Sequence, residues 1–127
     1  MSGSDQESYA RNKARNAQLD ERRARIRQLN DKLRQEHLGG RTVITHGVQA
    51  LGLLTAIAVL LAVRQFDDFS TGNDPHEEHD FGAITCGDHR ILWKIDYYDK
   101  LLQYGSPDAA DPDVTTRVLT IMLASEY

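Results

Sequence analysis

The sequence predicts an α+β fold: a small, mainly antiparallel sheet packed by a central apolar helix and a C-terminal helix, with an N-terminal charged helical arm. Three observations predict it. Glu7 to Leu38 contains no proline or glycine and is rich in strong helix formers. Residues 47–63, GVQALGLLTAIAVLLAV, are apolar around nearly the whole helical circumference. From Phe81 to Tyr98, two β-rich runs flank Gly87-Asp88, as the arms of a hairpin flank a two-residue turn.

Taken in order, the arm has a narrow apolar stripe at Leu19, Ile26, Leu29 and Leu33, and Gly39-Gly40 stops it after His37. Upstream of Leu19 its apolar positions are mostly alanine, which predicts fraying or disorder at the start. The domain division is therefore residues 1–38, arm, and 39–127, a single α+β domain. RTVITHG, starting at Arg41, is short and β-branched, hence a strand. A helix follows from about Gln49 to Phe66, covered on most sides. FDDFSTGNDPHEEHD is a polar loop. In the hairpin a two-residue turn pairs Cys86 with His89 and Gly82 with Trp93. Ile91, Trp93, Ile95 and Tyr97 then share the core face, and Leu92, Lys94, Asp96 and Tyr98 the other. LLQY is expected as a third strand of a meander. Asp111 as N-cap, Pro112 at the first helical position and the spacing of Val114, Val118, Ile121 or Met122, and Ser125 predict a closing helix.

Charge divides the chain. Residues 1–41 hold ten Lys/Arg against six Asp/Glu, net +4, whereas 42–127 hold five against thirteen, net −8. An acidic body disfavours broad contact with phosphate backbones outside the arm. Within the arm, acids interleave with bases at helical spacing, so a solvated, salt-bridged helix is favoured over nucleic-acid contact through the basic N-terminal arm. One cysteine, Cys86, excludes an intrachain disulfide. The N-terminal sequence lacks a signal-peptide core, and the apolar run is as short as a spanning helix can be and carries Gln49, Gly52 and Thr55. A cytoplasmic protein without membrane contact is expected.

LGGRTVITHGVQAL, HDFG, WKIDYYD, GSPDAADP and TTRVLTIMLASEY follow one another in an order and spacing that resemble the bacterial domain-of-unknown-function family numbered 3768, over roughly residues 28–127. The resemblance implies a small protein associated with plasmids or mobile elements and supplies no chemistry.

NDPHEEHDFG packs two histidines and four carboxylates into ten positions. His76 and His79 are one residue too close for the H-E-x-x-H zinc motif, and Pro75 and Gly82 argue for a loop. A looser metal site from His76, His79 and Asp80 is the weaker alternative to a metal-free acidic loop. Lys94, Asp96 and Tyr98 emerge on one strand face, about 7 Å apart at alternate positions. With His79 and Asp80 they form the candidate binding surface. Cys86 has no basic neighbour in sequence, Ser106 lies in no nucleophile elbow, and no phosphate-binding glycine loop occurs. The sequence thus favours a non-catalytic accessory protein without a cofactor. It would bind a protein or other macromolecular partner, in one version as an acidic mimic of nucleic acid. The competing class is a small enzyme or metal-binding protein using His79, Asp80, Lys94 and Asp96.

Overall fold

The computed structural model describes residues 3–127. Helix α1, Gly3–Glu36, leads into strand β1, Arg41–Ile44. A single turn, α2 (His46–Gln49), and helix α3 (Leu53–Gln65) follow, then β2 (Phe81–Cys86), β3 (His89–Tyr98) and β4 (Thr116–Leu123). The four strands form one sheet in the order β1-β4-β3-β2, with β1 parallel to β4 and the other pairs antiparallel. The fold class is α+β, as the sequence predicts.

The helices cover one face of the sheet. Leu33 of α1, Val48 of α2, and Val59 and Val63 of α3 meet Ile91, Trp93, Ile95, Leu119 and Ile121 in one buried cluster. Alternation accounts for that set: each strand sends every second residue toward the helices. The hairpin register agrees with the expectation, pairing Cys86 with His89 and Gly82 with Trp93. Gly87 takes a φ of 59°, open to glycine at little cost.

Three expected elements differ. The C-terminal segment is the strand β4, not a helix. Its β-branched residues, from Thr115 to Ile121, fit a pleated strand, and the buried alternation Arg117–Leu119–Ile121 overrides the helical spacing. Asp111, expected as the N-cap, instead closes a turn by accepting the Asp113 N–H at 2.9 Å. LLQY is a loop rather than a strand: Leu102 has a φ of 59°, and the Asp99 N–H reaches the Tyr104 carbonyl at 2.9 Å. β4, arriving from afar, takes the place beside β3 that the meander would have used.

The apolar helix is broken at Gly52, with φ 99°, into α2 and α3. It is also not covered on most sides. Only Val59 and Val63 of α3 are buried, because α3 rests on one side of the sheet and its outer side is left uncovered by the described residues. No helix among the described residues is long and apolar enough to cross a membrane.

α1 is helical from Gly3 onward; Met1 and Ser2 lie outside the described residues. Its residues up to Arg22 are exposed, while Ile26, Asn30, Leu33 and Arg34 are buried against the body. The helix ends where His37 turns left-handed, with a φ of 56°. Gly40 then passes the β4 backbone so closely that a Cβ there would stand 2.5 Å from the Arg117 carbonyl oxygen.

Candidate functional site

Three places on the molecule carry chemistry or unsatisfied surface. The first is a cleft of about 620 Å³ between α1 and the loop after α3. Its centre is His79, whose Nδ1–H donates to Asp31 Oδ1 at 2.9 Å, with Oδ2 at 3.2 Å. A carboxylate only accepts, so this contact leaves Nε2 as the imidazole's free position when the ring is neutral. Nε2 faces Asp74 Oδ2 at 3.7 Å, and the other Asp74 oxygen accepts the His79 backbone N–H at 3.1 Å. The imidazole stacks on Phe69 at 3.7 Å between ring centroids. These contacts hold His79 at a φ of 54°, a conformation that a side chain rarely adopts.

Behind the dyad stands Arg34, 1% exposed. It donates to Asp31 at 3.1 Å and to the carbonyls of Val63, Arg64 and Phe66 at 2.9–3.1 Å, closing the C-terminus of α3. Arg23 and Arg27 edge the cleft, and Arg27 donates to the Glu77 carbonyl at 2.7 Å. Ser70 and Thr71 supply hydroxyls to its lining. The arrangement can hold or pass a proton at Nε2.

Beside the cleft is a buried polar network. Asn30 donates to the Glu78 carbonyl at 2.9 Å and to the Tyr97 hydroxyl at 2.8 Å, and accepts from Arg117 Nε at 2.6 Å. Tyr97 donates in turn to the Glu78 carboxylate at 3.1 Å. Burial pushes the Tyr97 phenol far above its ordinary pKa and lowers that of Arg117. The Tyr97 phenol therefore keeps its proton near neutrality, which suits a structural role. Asp80 adjoins this region, and burial, then repulsion from Glu78, raises its carboxyl above the ordinary value.

The second place is the sheet face opposite the helices, with Lys94, Asp96 and Tyr98. Lys94 Nζ lies 2.8 Å from Asp96 Oδ2, and that hydrogen bond raises the lysine's pKa. Asp80 precedes Phe81, whose partner is Lys94, and its carbonyl accepts the Ile95 N–H. Alternation therefore puts Asp80 on the helical side with His79, and Lys94 on the other. The five candidate residues divide into two sets separated by the sheet. His76, His79 and Asp80 are not assembled either: among the described residues no group of three or more His, Cys, Asp or Glu could hold a metal ion.

The third place is α3. Leu53 is 76% exposed, Leu54 82%, Ile57 44% and Leu61 48%, all on one helix. Sequence reasoning missed this surface by reading an all-round apolar helix as a covered one. It also missed Asp31 and Arg34, which lie 48 and 45 positions before His79. The i, i+3 spacing of Asp31 and Arg34 on α1 was the only local sign of them.

The architecture defines a small α+β module with one helix-covered sheet face. The chain belongs to the DUF3768 family of proteins of unknown function, whose model matches residues 44–126. No curated protein and no solved structure matches it. Asn30, Asp31 and Arg34 lie outside the matched range, on α1.

Proposed function

We propose that this protein works by association rather than chemistry, docking a macromolecular partner on the exposed apolar face of α3. The observation that carries the reading is the row Leu53, Leu54, Ile57 and Leu61 held out to solvent. Contiguous apolar patches of this kind mark interaction sites, because water is released when they are covered. The acidic-mimic version draws less support. Arg22 and Arg23 of α1 lie against Asp108 and Glu77, so part of the body's negative charge is answered internally. Contact with nucleic acid through the arm draws less as well: residues 3–21 hold three Lys/Arg against four Asp/Glu, and the basic excess sits in the docked half. The mobile-element association that the sequence resemblance implies would direct the search for partners to the products of such an element and its host.

Crosslinking in the native host, followed by mass spectrometry, tests the reading. The wild-type chain should capture a species that the Leu54→Lys, Leu61→Lys variant loses while keeping its circular dichroism spectrum. Equal capture by both would remove α3 from the function. One observation favours a second reading, proton transfer in the cleft: the imidazole of His79 fixed between Asp31 and Asp74. On that reading His79→Gln abolishes the biological effect and the α3 variant leaves it intact; the first reading expects the reverse.

A further inference from the structure

The apolar face of α3 has the properties of a surface that meets its own image, and we propose that its occupant is a second copy of this chain, bound through an antiparallel α3–α3 contact. This rests on the reading of α3 as a docking surface and names what docks there.

Charge is the first argument. Residues 42–63 contain no Asp, Glu, Lys or Arg, while residues 42–127 together carry a net −8. Two copies, each with a net charge of −4, can approach without like-charge cost along this uncharged stretch. Size is the second. In an antiparallel pair whose residue numbers sum to 115, Leu54 of one copy faces Leu61 of the other, and Ile57 faces Ala58. Ala58 is exposed, so each isoleucine meets a small residue between two leucines, the large-against-small match of packed helices. A groove of about 460 Å³ beside Leu54 and Ala58, bounded by the Gly87-Asp88 turn, adds relief along the same edge.

Direction follows from the one charge at the helix end. A parallel pair would set Arg64 beside its own image. An antiparallel pair separates the two arginines by nearly the length of the helix, about 20 Å for its 13 residues. It also places each helix C-terminus by the other's N-terminus, the favourable arrangement of the helix dipoles. Area sets the strength. The four exposed side chains cover roughly 400 Å² per copy, so the pair buries about 800 Å² in all, below the ~1,000 Å² of a stable specific interface. The dimer is therefore a weak, transient one.

Sedimentation velocity on the full chain, from ~1 to ~500 µM, tests this. The weight-average mass should rise toward twice the monomer value, and Leu54→Lys should stay monomeric over the range. Ala58→Leu separates registered packing from general stickiness. It adds apolar surface yet fills the position that receives Ile57, so dimerisation should weaken. A wild-type monomer at the highest concentration, an unaltered dimer in Leu54→Lys, or a tighter one in Ala58→Leu each overturns the proposal. A chain that stays monomeric but captures a different protein through Leu54 overturns this inference and leaves α3 as a docking surface.

Discussion

Trp93 and Lys94 are neighbours in the chain with opposite fates. The indole is 0% exposed and lies across Gly82, where a Cβ would come within 2.3 Å of its Nε1. Glycine at that position makes the contact possible. The Lys94 ammonium is on the other face, paired with Asp96, both side chains about one-third exposed. Trp93→Ala should lower the free energy of unfolding by about 3–5 kcal/mol, as for emptying a large aromatic site. Lys94→Ala should cost less than about 1 kcal/mol, since a solvated ion pair contributes little. Urea unfolding of the two variants decides it; a large loss from Lys94→Ala would mean the lysine is buried and paired. The Gly82–Trp93 contact was legible in the sequence, because a two-residue turn at Gly87-Asp88 fixes every pair above it. The Asp31–His79 contact was not, since 48 residues and a helix docking separate its ends.

At the scale of elements, Arg34 joins α1 to α3. Its guanidinium takes up the terminal carbonyls of α3 and the carboxylate of Asp31, which in turn orients His79. Removing it orphans buried acceptors and leaves Asp31 without a cation. Arg34→Ala should therefore destabilise by about 3–5 kcal/mol. It should also loosen His79, visible as a changed imidazole resonance in NMR spectra; a full-strength dyad in that variant would show that Phe69 and Asp74 suffice. The closing strand teaches the reverse lesson. Asp111-Pro112 is a sound helix start, and the apolar spacing after it fits a helix. β4 forms because the open edge of β3 offers eight residues a ladder and a core face that an isolated helix could not supply.

For the whole molecule, the charge polarity of the sequence is spent inside the fold. Arg22 and Arg23 reach Asp108 and Glu77, and the part of α1 before them is exposed. Deleting residues 1–18 should leave the melting temperature within about 2 °C of the full chain, because no large buried side chain is lost. A cooperative loss of folding at room temperature would show that the exposed half of α1 supports the body.

By itself the sequence determined the α+β class, the helical character of α1, the hairpin and its register, and the buried face of β3. These follow from local periodicity and turn chemistry, which act over a few residues. Only the tertiary structure decided that the last segment is a strand beside β1, that Asp31 and Arg34 come to His79, and that α3 keeps an apolar side in water. Each of these depends on which surface is left open once the other elements have packed, a property that no stretch of chain carries alone.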